Sequence, residues 1–205
     1  MTLLDAEIRT RKRNARLLLE AELPECLQTT KRPFPEQVAF WAKGMRFVDS
    51  WAKQKRSDGI ILQGGTGRGK SELAALMLFM LADLHGVDSL YLNARDVAIE
   101  LKGSYERQDG ARSEYQILEL AKARDVICFD DAGGEGNQNE ALHVKALVRA
   151  LIDLCAVSNK LFIMTANLKD EGLAALLGDE REQSRRAPWT RVIFPDAIPD
   201  YRRRK

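Results

Sequence analysis

The sequence predicts an α/β protein built on a parallel sheet with helices on both faces. Three observations predict it. Residues 64–71 read Gly-Gly-Thr-Gly-Arg-Gly-Lys-Ser, set between a short apolar run and a helical one. Through the rest of the chain near-continuous apolar strands alternate with helical stretches, the pattern of a sheet covered on both faces. One of those strands ends in paired acids, Asp130-Asp131, about 60 residues after the glycine loop.

The 205 residues suit one medium domain, or one domain with a short appendage. Residues 3–22 read as an amphipathic helix, apolar from Leu3, Leu4 and Ile8 to Leu17, Leu18 and Leu19, and basic at Arg9, Arg11, Lys12, Arg13 and Arg16. Pro24 ends it, so residues 1–23 are expected as an N-terminal basic helix and 24–205 as the main domain. Pro33 and Pro35 punctuate the irregular stretch that follows. A second helix covers 36–54, with Phe40, Met45, Phe47, Val48 and Trp51 spaced for burial. Five strands follow at 59–63, 89–92, 125–130, 160–165 and 191–194, with helices at 71–85, 94–104, 113–123 and 139–157. The polar, glycine-containing stretch 103–113 is expected as a flexible loop. In such a sheet ligands bind at the carboxyl ends of the strands.

Composition excludes some classes. No apolar run approaches 18 residues, and the charged N-terminus lacks the apolar core of a signal peptide. A cytoplasmic protein without membrane association is therefore expected. Cys26, Cys128 and Cys155 are widely spaced and read as reduced, mostly buried thiols. His85 and His143 stand apart from any zinc pattern. Net charge is only +2, but Arg202, Arg203, Arg204 and Lys205 end the chain on a basic run. Basic ends on a near-neutral body fit nucleic acid as well as they fit plain solvation.

The chemistry lies in the glycine loop. Gly64, Gly69, Lys70 and Ser71 fill the pattern G-x-x-x-x-G-K-[ST], and strand, loop and helix stand in the order that a P-loop requires. Residues Gly64, Gly65, Thr66, Gly67, Arg68, Gly69, Lys70, Ser71 and Glu72 are the candidate cradle for ATP. Backbone N–H groups and the helix N-terminus would hold the polyphosphate. Lys70 would reach the β/γ-phosphates and Ser71 would bind Mg²⁺. The apolar strand Val126-Ile127-Cys128-Phe129 ending in Asp130-Asp131 is the matching Walker B strand. Asp130 would hold Mg²⁺ through water, and Asp131 would orient or deprotonate the attacking water, with Glu135 a second carboxylate in reach. Asn167, at the tip of the strand Thr165-Ala166-Asn167, is placed to hold that water or the γ-phosphate, or else serves as a turn residue.

These elements together resemble the AAA+ ATPases, and more finely the branch of DnaC/DnaI-type helicase loaders and IstB-type transposition helpers. The branch has Asp-Asp-[Ile/Leu]-Gly-x-Glu at Walker B, and Asp130-Asp131-Ala132-Gly133-Gly134-Glu135 is similar. Its sensor strand ends in Asn, as Asn167 does here. Leu177-Gly178-Asp179-Glu180-Arg181-Glu182-Gln183-Ser184-Arg185 is similar to the segment leading to the family's last arginine. By that likeness Arg185 is the candidate arginine finger, with Arg186 the near alternative. The resemblance spans roughly residues 20–202. It implies a three-layer P-loop NTPase core of the AAA+/ASCE type, a five-stranded parallel sheet, a reduced C-terminal lid and a short N-terminal helical extension. Three departures stand out. About 20 residues precede Pro24 where loaders usually carry a helicase-binding domain, Cys155 stands where the family usually has Arg, and Ser71-Glu72 replaces the common Thr-His.

The resemblance implies an ATPase that is weak alone and active when assembled head to tail, in a ring or helical filament, on single-stranded DNA. Arg95, Lys102, Arg107 and Arg112 are the candidate DNA contacts. The implied client is a replicative helicase, or a transposase if the chain is an IstB-like helper. A loader mimic or adaptor without catalysis would also carry such a body, and a P-loop small-molecule kinase would share the glycine loop and the parallel sheet.

Overall fold

The computed structural model describes residues 3–29, 33–133, 138–178 and 189–201. Five strands form one sheet in the order β2-β3-β4-β1-β5. They are β1 (Asp58–Gln63), β2 (Ser89–Asn93), β3 (Val126–Ala132), β4 (Leu161–Ala166) and β5 (Thr190–Ile193), and every pairing is parallel. All five carboxyl ends therefore open on one edge, and β4 separates the strand leading into the glycine loop from the strand carrying Asp130.

Alternate strand residues feed two cores. Ile60, Leu62, Val126, Cys128, Leu161, Ile163 and Val192 face one. Ile61, Leu90, Leu92, Ile127, Phe129, Phe162 and Met164 face the other. The first core is covered by α1 (Leu3–Glu22), the single turn α2 (Glu25–Gln28), α3 (Val38–Gln54) and α4 (Lys70–His85). α4 is apolar nearly all round, because it is wedged between the sheet, α1 and α3. The second core is covered by α5 (Ala94–Tyr105), α6 (Glu114–Lys122), α7 (Gln138–Val157) and α8 (Asp170–Leu177).

Strands and long helices lie within a residue or three of their expected places. The differences have local causes. Helix 36–54 opens on a 3₁₀ turn, Pro35–Gln37. In α3 the fully buried positions are Trp41, Gly44, Val48 and Trp51, while Phe40, Met45 and Phe47 are only partly buried. A Cβ at Gly44 would lie 3.2 Å from Leu73 and Met77, so the face against α4 runs through the glycine. The stretch 103–113 is shorter as a loop than expected. α5 runs to Tyr105, Ser113 caps α6, and Arg112 donates to both carboxylate oxygens of Glu100 at 2.8 and 2.9 Å. Cys128 and Cys155 are buried, but Cys26 is exposed. Burial pushes the Cys155 thiol up to about 12.

α1 is packed into the body. Ala15, Leu19 and Leu23 are buried in the first core. Arg16 lies 4.0 Å over the Phe79 ring and pairs with Asp83 at 2.7 Å. Arg11 donates to the Gly86 carbonyl. Glu22 accepts the Tyr91 backbone N–H at 2.9 Å, which satisfies a donor on the edge strand β2. Leu4, Ile8, Leu17 and Leu18 remain exposed. Among the described residues no helix is long and apolar enough to cross a membrane.

Candidate active site

At the carboxyl edge of the sheet the glycine loop turns from β1 into α4 around a cavity of about 530 Å³. Thr66, Gly67, Arg68, Gly69, Lys70, Ser71 and Glu72 line it on one side, and Asp130, Asp131 and Asn167 on another. Gly64 and Gly65 line an adjoining cavity of about 690 Å³ that also reaches Asn167. Gly67 has φ +73° and Gly69 has φ +83°, backbone that favours glycine. A Cβ would also collide with Asp200 at the first position and with the Gln37 amide at the second. The loop therefore needs glycine both for its turn and for its neighbours.

Lys70 is buried, and its ammonium donates to the Gly65 carbonyl at 2.8 Å and to Asn167 Oδ1 at 2.6 Å. The Asn167 amide in turn donates to Asp131 Oδ1 at 2.5 Å. P-loop lysine, strand-tip amide and second acid thus form one continuous chain. Asp131 has φ +60°, a rare setting for a residue with a side chain. It lies where the β3–β4 register shifts between Phe129 and Ala132. Across the irregularity both acids line the cavity, and Asp130 keeps its register with Asn93 of β2.

Asp130 is 3% exposed and both its oxygens accept hydroxyls, Tyr91 Oη at 2.7 Å and Thr165 Oγ1 at 2.6 Å. Burial first, and then the Asp130 charge, raise the Tyr91 phenol well above its ordinary pKa, so it remains a donor. Thr165 Oγ1 also accepts the Asp131 N–H at 2.8 Å.

The outer turn of the loop is braced from both ends of the chain. The Gln37 amide donates to the Arg68 carbonyl. Tyr201 N–H donates to the Gly67 carbonyl at 3.0 Å, and its ring stacks on Phe34 with centroids 4.0 Å apart. The Arg68 guanidinium points away from the acids, to the Phe194 carbonyl and to Asp196 at 2.7 Å. Glu135, Arg185 and Arg186 lie outside the described residues. Cys155 is 1% exposed and packs in the second core.

Sequence reasoning gave no role to Gln37, Tyr91 or Tyr201. A tyrosine in an apolar strand reads as core. Its hydroxyl becomes visible only when register sets Tyr91 opposite Cys128, two residues before Asp130.

The residues fit a magnesium triphosphate. Ser71 and Asp130 are hard oxygen donors, and the glycine loop lines the same cavity with a backbone that carries no side chain at Gly67 and Gly69. Among the described residues no three His, Cys, Asp or Glu side chains gather as a metal cage.

No protein-family model matches the chain, and no curated protein sequence does. The likeness is one of fold. DnaI is similar over 84% of this chain and 95% of its own, at 19% identity and TM-score 0.60. The DnaC helicase loader is similar over 81% of this chain and 94% of its own, at 18% identity and TM-score 0.58. The replication initiator DnaA, bound to AMPPCP and single-stranded DNA, matches over 75% of this chain at 15% identity and TM-score 0.54. The chain spans about half the length of that initiator, 46%, and 48% of a DNA replication initiation factor. At these identities the likeness is that of a shared fold, the five-stranded parallel sheet between two layers of helices.

Proposed function

We propose that this chain is an ATPase of DNA replication that loads or remodels a replicative helicase on single-stranded DNA. The observation that carries the reading is the convergence of Lys70, Ser71, Asp130, Asp131 and Asn167 on one cavity, in a fold shared with the DnaC helicase loader.

Each residue takes one part in the proposed reaction. The backbone of 64–69 and the α4 N-terminus bind the phosphates. Lys70 exchanges the Gly65 carbonyl and Asn167 for phosphate oxygens. Ser71 and Asp130 hold Mg²⁺, which supplies charge neutralisation between the phosphates. Asp131 orients a water and takes its proton, and Asn167 fixes Asp131 and that water. Arg185 of a neighbouring subunit serves as the arginine finger, so turnover depends on head-to-tail assembly. Residues 1–23 act as the docking helix on an ATPase body of 24–205, and the exposed leucines of α1 are its contact face. Arg95, Lys102 and Arg107 are exposed on and after α5 and form the DNA-contacting set. Arg112, engaged by Glu100, contributes less.

The test is nucleotide binding and turnover in the wild type and in Lys70→Ala, with a hexameric helicase and a transposase offered as clients. The expected result is ATP binding that Lys70→Ala abolishes and co-purification with the helicase. Absence of ATP uptake at millimolar concentration would overturn the proposal. Capture of the transposase in place of the helicase would replace loading by transposition.

A further inference from the structure

We infer that Tyr91 is a positioning residue for Asp130, and that its hydroxyl gives the nucleotide site its preference for magnesium over calcium. The inference deepens the ATPase reading and rests on it, since it takes Asp130 as the cation's carboxylate.

Tyr91 lies on the edge strand β2, with Cys128 of β3 opposite it in register. From there its phenol reaches across to Asp130 Oδ2 at 2.7 Å and forms part of the cavity wall beside Ser71. On the other side Thr165 Oγ1 donates to Asp130 Oδ1 at 2.6 Å. Thr165 already accepts the Asp131 N–H, so its one proton is committed to Asp130. The carboxylate is thus clamped at both oxygens by two buried hydroxyls. Both donors are neutral. They fix the plane of the carboxylate and leave its charge for a cation.

The clamp discriminates by geometry. Magnesium demands a near-ideal octahedron and keeps several waters, so it suits a carboxylate that offers one lone pair through water. Calcium takes six to eight oxygens and favours a carboxylate that turns both oxygens to it. A hydroxyl on Oδ1 and another on Oδ2 fix the plane of Asp130, so the carboxylate cannot turn in this way. Removing the Tyr91 hydroxyl frees Oδ2, loosens the plane of the carboxylate and admits the two-oxygen mode.

The experiment uses the full chain and a fluorescent ATP analogue. Binding is titrated with Mg²⁺ alone, with Ca²⁺ alone and in EDTA, for the wild type, Tyr91→Phe and Thr165→Ser. In Tyr91→Phe the half-saturating Mg²⁺ concentration should rise about tenfold, the lower end of what loss of a ligand's supporting hydrogen bond costs. Half-saturation by Ca²⁺ should stay level or fall, and binding in EDTA should be unchanged. Thr165→Ser keeps the hydroxyl and should keep the wild-type ratio. An equal shift for both cations, no shift, or loss of binding in EDTA would overturn the inference and leave Tyr91 as packing. A wild type that binds no nucleotide under any condition would overturn the ATPase reading as well.

Discussion

Asp131 receives the Asn167 amide on its side chain and gives its own N–H to Thr165. Asparagine at 131 keeps the volume and an acceptor but cannot take a proton. Asp131→Asn is therefore expected to bind ATP with little change while turnover falls about 10²–10⁴-fold, the usual range for loss of a general base. Equilibrium binding beside steady-state hydrolysis checks this, and undiminished turnover would shift the base to Glu135. Gly69 gives a second expectation. Alanine there meets both φ +83° and the Gln37 amide, which would lie 2.4 Å from the new Cβ. The strain is of order 1–3 kcal/mol, to be read as a lower denaturation midpoint together with weaker nucleotide binding. The glycine motif was fully legible in sequence, since its pattern states its own geometry. The partners that hold it were not. Gln37 and Tyr201 come from opposite ends of the chain, and no local pattern links either to residue 67 or 69.

At the scale of elements, the long pieces were legible because their apolar residues repeat with clear periods. The short ones were not. α8 is eight residues directly after the Asn167 strand tip, and Leu173, Leu176 and Leu177 bury only because α7 and the sheet are there to receive them. α2 is a single turn fixed by its contact with α4. The packing of α1 was the least legible feature. Its basic residues fitted nucleic acid and plain solvation equally, yet Arg11 and Arg16 bond to Gly86 and Asp83 of the body. Leu19→Ala, which removes a fully buried side chain between α1 and α4, is expected to lower stability by about 2–5 kcal/mol. Urea unfolding checks it. A much smaller cost would mean that α1 detaches readily from the body in solution.

Across the whole molecule, the sheet order places β4 between the strand that leads into the glycine loop and the acid strand. Asn167 at its tip touches Lys70 on one flank and Asp131 on the other. Order of strands could not be read from composition or periodicity. The proposed DNA face on α5 carries its own prediction. Affinity for single-stranded DNA should fall steeply with salt, about 0.7 in log affinity per log unit of salt for each phosphate contact. Arg95→Ala with Lys102→Ala and Arg107→Ala should flatten that slope, as fluorescence anisotropy across salt concentrations would show. A slope unchanged in the triple variant would move the DNA contact elsewhere.

The buried ammonium between the Gly65 carbonyl and Asn167 has a further consequence. A resting cradle whose cation is already engaged is a poor trap for a small stray anion such as free orthophosphate. A long, multiply charged tail that meets the backbone, the lysine and the acid end together can displace those contacts. In the proposed hydrolysis, loss of the terminal group would let the same two oxygens take the lysine back, which would reset the site and favour departure of the spent nucleotide.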